Sequence, residues 1–243
     1  MPKAKNNMHS PVVNNTIAEA LAKVTARIQQ AAQTAGRIPE TVRLIAVSKT
    51  QPAAAVSQAY AAGQRDFGEN YLQEALDKQA DLKDLADIQW HFIGPIQSNK
   101  TRAIAENFAW IHSIDREKVA QRLNDQRPAD LPPLQVCLQV NIDDEATKSG
   151  VSLLELPELA KAMSQLPRLQ LRGLMAIPAA SNTPEQQHQA FYKLRAALID
   201  LQNLGFRIDT LSMGMSGDME AAIAQGSTMI RVGTDIFGTR AKT

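Results

Sequence analysis

Residues 42–55 read Val-Arg-Leu-Ile-Ala-Val-Ser-Lys-Thr-Gln-Pro-Ala-Ala-Ala, and the fold turns on this stretch. Its first half, 42–48, is short, apolar and rich in branched side chains, as a strand covered on both faces requires. Pro52 then fixes the backbone for the first turn of a helix built on alanines. Lys49 falls in the loop between them. The same strand-loop-helix unit recurs along the chain. Residues 65–67 lead into a helix from Tyr71, 88–93 into one near Gln97, and 110–114 into one from Asp115. Residues 134–141 precede a helix over 153–165, 169–177 precede one over 184–204, and 210–213 precede one over 218–224; 229–232 supply an eighth strand. An opening helix over 17–35 comes first, with Ile17, Leu21, Val24 and Ile28 on one stripe and Gly36 and Pro39 as its stop signals. Strands alternating with helices pair in parallel through right-handed crossovers, and eight such units close into a (β/α)8 TIM barrel of the α/β class. An open doubly wound sheet is the structural alternative.

No Gly/Ser-rich linker divides the chain, so a single barrel domain over 14–243 is expected, preceded by a polar, disordered tail over 1–13. That tail carries Lys3 and Lys5 with no apolar run after them, which resembles neither a secretory signal nor a membrane span. With 44% hydrophobic and 21% charged residues the chain can bury a substantial core. A formal net charge of +1 provides no field for nucleic acid or an anionic membrane, so neither is expected as a partner. The one cysteine, Cys137, lies in an apolar run, which fits a reducing compartment. A monomeric cytoplasmic protein is the expectation.

In a parallel barrel the loops after the strands build the site. Lys49 is the first such residue; burial at the barrel mouth would release its neutral amine as a nucleophile able to form an imine with an aldehyde, while a plain surface lysine is the alternative. The loops Ser212-Met213-Gly214-Met215-Ser216-Gly217 and Gly233-Thr234 follow the last two strands and suit a phosphate, since glycines admit an anion to the backbone and Ser216 adds a hydroxyl. Ser216 could equally cap the helix that follows. Arg231 lies within the last strand among Met229, Ile230 and Val232, where its charge needs a partner, either a ligand or a carboxylate such as Asp235. Of the four histidines, His91 and His112 fall on strands, with His91 a candidate to border a ligand. No metal-ligand spacing is present. Asn70 and Asn99 follow strands two and three and serve either the mouth or a helix cap, and Lys148, in Thr147-Lys148-Ser149-Gly150, is a second amine beside the site or a solvated lysine.

At these residues the chain resembles the YggS/PROSC family of pyridoxal 5'-phosphate (PLP) homeostasis proteins, from about residue 17 to 240. The resemblance is carried by Leu44-Ile45-Ala46-Val47-Ser48-Lys49-Thr50, Phe67-Gly68-Glu69-Asn70-Tyr71, Trp90-His91-Phe92-Ile93-Gly94, Gly173-Leu174-Met175-Ala176-Ile177, Ser212-Met213-Gly214-Met215-Ser216 and Arg231-Val232-Gly233-Thr234. It implies a barrel like the N-terminal domain of alanine racemase, with PLP held as a Schiff base on Lys49. It further implies that Ser216, Gly233 and Thr234 hold the phosphate and that Arg231 faces the pyridine nitrogen, with Asn70, His91 and Lys148 near the cofactor or its entry. The implied function is to carry or buffer PLP, with PLP-requiring apoenzymes as its partners, and not to catalyse an amino-acid reaction. The resemblance implies no established catalytic activity, and since alanine racemase adds a C-terminal β domain that contributes a tyrosine base while this chain ends just after strand eight, at Thr243, half of that catalytic apparatus is expected to be missing. A PLP-dependent racemase and a lysine aldolase are the competing readings. The sequence departs from the family at its tail and at Gly217.

Overall fold

The computed structural model describes residues 16–143, 148–179 and 183–238; the expected tail over 1–13 lies outside them. Eight strands pair in parallel in chain order and close on themselves. They are β1 (Arg43–Val47), β2 (Asp66–Glu69), β3 (Gln89–Phe92), β4 (Trp110–Ile114), β5 (Leu134–Gln139), β6 (Leu169–Met175), β7 (Thr210–Ser212) and β8 (Met229–Val232). Closure is made by β8 lying beside β1, with Leu44 opposite Ile230 and Ile45 opposite Arg231. The open-sheet alternative is thereby excluded.

Helices cover the outside: α1 (Ile17–Thr34), α2 (Ala53–Ala61), α3 (Leu72–Asp81), α4 (Thr101–Asn107), α5 (Glu117–Gln126), α6 (Leu156–Met163), α7 (Pro184–Asn203), α8 (Met219–Ala224) and α9 (Thr234–Phe237). Helix α1 begins with a capping box in which Thr16 and Glu19 satisfy each other's backbone N–H groups. It buries Leu21, Val24 and Ile28, each contributing roughly 1.5–3 kcal/mol. Helix α4 starts at Thr101 and not near Gln97, because Gln97–Lys100 close a turn through a backbone bond and Asn99 is exposed within it. The single turn α9 is too short to leave a periodic signal in the sequence.

Alternation with a period of two sorts each strand's side chains between two compartments. Ala46, Ile111, Val136, Leu174 and Ile230 point outward to the large core under the helices, whereas Ile45, Trp110, Cys137, Met175 and Met229 meet inside the barrel. Gly173 is required by this closure: a Cβ there would stand 1.8 Å from the Thr210 carbonyl oxygen of the neighbouring strand. The interior is not wholly apolar, since His91, His112, Ser212 and Arg231 share it and are all buried.

Candidate functional site

The C-terminal ends of β1, β2, β3, β6, β7 and β8 surround a cavity of about 300 Å³. Lys49, Asn70, Ser216, Arg231, Gly233 and Thr234 all line it, together with Val47, Gln51, Ile93, Ile177, Met215, Gly217 and Gly238. Strand β1 delivers Lys49 to this mouth directly, one residue past Ser48.

The backbone on both sides of Lys49 is clamped. The buried Lys78 of α3 donates to the Ser48 carbonyl at 2.6 Å, to Glu69 at 2.8 Å and to Glu74 at 2.6 Å. Ser48 gives its hydroxyl proton to Glu69 at 2.6 Å, and the Thr50 N–H donates to Glu74. All three donors of the ammonium are used, so the buried charge is compensated. Burial pushes the Glu69 carboxyl above its ordinary range, against the pull of Lys78 and Ser48. Thr50 has φ +64°, left-handed backbone that costs a branched residue roughly 1–2 kcal/mol and survives only where the surroundings enforce it. Sequence reasoning missed this cluster, since Lys78 and Glu74 look like an ordinary i,i+4 surface pair.

On the opposite wall, Ser216 is half-buried and does not cap α8: Asp218 holds the N-cap position, and its carboxylate accepts the Met215 N–H at 2.6 Å. Gly217 leaves open space where a Cβ would be, and at Gly233 a Cβ would press on the Val47 carbonyl at 3.1 Å. Both glycines line the cavity. Arg231 is 5% exposed and burial draws its pKa down to about 10, with Asp218 and Cys137 opposing. It therefore stays charged at neutral pH. Its guanidinium donates to Ser212 Oγ at 2.6 Å and to the Ala176 carbonyl at 3.1 Å. Asp235, the carboxylate alternative, lies against Arg27 instead. The Oδ1 atom of Asn70 is buried with no partner among the described residues, which marks an acceptor awaiting a donor in the cavity wall.

The alanine racemase N-terminal domain family matches residues 20–241. Two relatives called pyridoxal phosphate homeostasis protein, from Pseudomonas aeruginosa and Escherichia coli K12, are 66% and 56% identical, each over 93% of this chain and over 96% and 97% of their own. The chain belongs to the pyridoxal phosphate homeostasis protein family. PipY of Synechococcus elongatus PCC7942, solved with PLP bound, superimposes with a TM-score of 0.81 at 42% identity, covering 92% of this chain and all of that one. Alanine racemase of Corynebacterium glutamicum, at 19% identity and a TM-score of 0.66, shares the fold over 92% of this chain and 62% of its own.

Two sequence expectations stand apart from the cavity. His91 is not among the lining residues: its ring points into the barrel below the mouth, held between Asp66 at 3.0 Å and His112 at 2.9 Å. Lys148 is paired with Asp143 at 2.6 Å, and Asp143 lines a neighbouring cavity that shares Met215 and Gly217 with the first. Burial raises the Asp143 pKa, but the bonds from Lys148 and the Ala179 N–H outweigh it and leave the carboxyl below its usual range. Ile93 and Ile177 were also missed as cavity residues; Ile93 directly follows β3 and Ile177 lies two residues past the end of β6, and that place just beyond a strand is the signal that marks them. Among the described residues no group of His, Cys, Asp and Glu is placed to hold a metal, and no helix is long and apolar enough to cross a membrane.

Proposed function

We propose that this chain binds PLP covalently, as a Schiff base on Lys49, and carries or buffers it without turning over an amino acid. The observation that carries this reading is the meeting, in one cavity of about 300 Å³, of an amine, two glycine-lined loops with a hydroxyl, and a buried guanidinium. These are the three groups that an aldehyde, a phosphate and a pyridine nitrogen call for. Lys49 would hold the aldehyde carbon, Ser216, Gly233 and Thr234 the phosphate, and Arg231 the ring nitrogen; Asn70 would offer its orphaned acceptor to a ring donor. The homeostasis names of the relatives and the PLP-bound state of PipY support the same cofactor.

PLP supplies an electron sink whose strength depends on a proton at its ring nitrogen. An arginine that is charged at neutral pH disfavours that proton, so Arg231 tempers carbanion chemistry. At the rim, Ile177 and Met215 are 45% and 39% exposed, which leaves the cavity open to exchange of its contents with water. Both features favour storage and release over controlled proton transfer. Cytoplasmic residence, a monomeric state and delivery to PLP-requiring apoenzymes complete the proposal.

Borohydride reduction of the PLP-loaded protein followed by peptide mass mapping is expected to place the cofactor on Lys49, with no attachment in Lys49→Ala. Attachment at Lys148 or another amine, or none at all, overturns the reading. Solvent deuterium exchange at the α-carbon across a panel of amino acids is expected to be absent; Lys49-dependent exchange would instead establish an enzyme.

A further inference from the structure

A continuous line of hydrogen bonds runs through the barrel from the rim opposite the cavity to Arg231. Asp66 opens β2, and its Oδ1 meets His91 Nε2 at 3.0 Å. His91 Nδ1 meets His112 Nε2 at 2.9 Å, His112 Nδ1 meets Ser212 Oγ at 2.7 Å, and Arg231 donates to that same oxygen at 2.6 Å. Five strands, β2, β3, β4, β7 and β8, each contribute one member. Both imidazoles are fully buried, and the His91 ring lies nearly parallel to Trp110, at 12° and 5.6 Å between centroids, so its plane is fixed.

The two ends determine the direction of the whole line. A guanidinium only donates, and a carboxylate only accepts. Starting at Arg231, Ser212 accepts and passes its own hydroxyl proton to His112 Nδ1. His112 then carries its proton on Nε2 and donates to His91 Nδ1, and His91 Nε2–H donates to Asp66. In this arrangement every member is satisfied with both rings neutral. The reverse order leaves a bare Nε2 lone pair facing the carboxylate, or else requires a cationic ring in the interior, where burial favours the neutral form of both histidines. Aligned bonds of this kind polarise one another, and all of them point their negative ends toward the guanidinium.

We infer that Asp66, His91, His112 and Ser212 are positioning residues for Arg231: they hold the guanidinium at the cavity floor and transmit the charge state of the Asp66 rim to it. Asp66 also faces Arg43, at 3.3 Å, so that rim is itself an ion pair. The inference deepens the PLP reading and rests on it for the group that Arg231 faces, but the direction of the line belongs to the protein alone.

Four measurements test it. Histidine ¹⁵N NMR of the unsubstituted, cofactor-free protein at neutral pH is expected to show both His91 and His112 neutral with the proton on Nε2. A proton on Nδ1 of either ring, or a cationic ring, overturns the assigned direction. In Asp66→Asn, where an amide replaces the obligate acceptor, the His112 ¹⁵N shifts are expected to move although residue 66 reaches His112 only through His91. After PLP loading, the pH midpoint of the Lys49-linked chromophore is expected to shift by a few tenths of a unit, with the linkage to Lys49 retained. Unmoved His112 resonances or an unmoved midpoint overturns the coupling. Ser212→Ala, which removes the acceptor next to Arg231, is expected to weaken PLP binding about tenfold, the worth of a hydrogen bond to a charged group. If the unsubstituted protein takes up no PLP on Lys49, the cofactor reading fails alone, and the two NMR measurements still decide the line.

Discussion

Lys78 shows how much one side chain can carry here. It is 4% exposed, and it joins Ser48, Glu69 and Glu74, which flank or pin the loop that presents Lys49. Removing one partner of a buried ion pair strands the other, at a cost of about 3–5 kcal/mol. Lys78→Met is therefore expected to lower unfolding free energy by that order in urea titrations, and Lys78→Met with Glu69→Gln by clearly less. The histidines give the pH dependence. Burial lowers the pKa of His91 and places that of His112 well below its ordinary value, so each is neutral when folded but free to take a proton, near pH 6.5, when unfolded. Below that pH the unfolded state binds more protons, and stability falls as pH drops toward the folded values. Each ring contributes up to about 1.4 kcal/mol per pH unit in that window. Urea unfolding at pH 6.5 and 5.5 should show this slope, reduced in His112→Gln; equal slopes would contradict it. Cys137, buried and with its thiol pushed up to about 12, should not react with a thiol reagent in the native protein.

Among the elements, β6 and β7 make the tightest demand. Gly173 sits where any Cβ would collide with the Thr210 backbone, so Gly173→Ala is expected to destabilise by about 3 kcal/mol or more, beyond ordinary overpacking. A thermal scan with the melting temperature within two degrees or so of the parent would exclude that tight approach. Helix α1 offers a milder case. Loss of its cap in Thr16→Ala removes one half of the reciprocal pair with Glu19 and should cost about 1 kcal/mol, read in the same scan. Arg127 ties three carbonyls, those of Ala105, Phe108 and Pro132, into one junction between α4, α5 and the approach to β5. It satisfies backbone acceptors that helix ends leave open.

For the molecule as a whole, the site draws on strands at both ends of the chain, so ligand binding should stabilise the closed barrel as a unit. PLP at one hundred times its dissociation constant contributes about 2.7 kcal/mol, which for a chain of this size raises the melting temperature by on the order of 5 °C. Pyridoxal lacking the phosphate should give much less, and Ser216→Ala should reduce the response to PLP. An equal response to both compounds would remove the phosphate role from the loops after β7 and β8.

The sequence by itself determined the repeat of strand, loop and helix, the placement of Lys49 just past the first strand, and the small-residue loops after the last two, because each is a matter of local periodicity and turn chemistry. It also brought Arg231 forward, as a charge set among apolar neighbours in a strand. Tertiary structure alone decided whether Ser216 caps a helix or lines the cavity, and which partners Arg231 takes. It alone showed that Lys78 is buried and that His91 lies below the mouth. Those outcomes depend on which strands neighbour one another, on their register, and on which face of the pleat each side chain takes. Asp66 and Arg231 are 165 positions apart in the chain and are linked only once the barrel has closed.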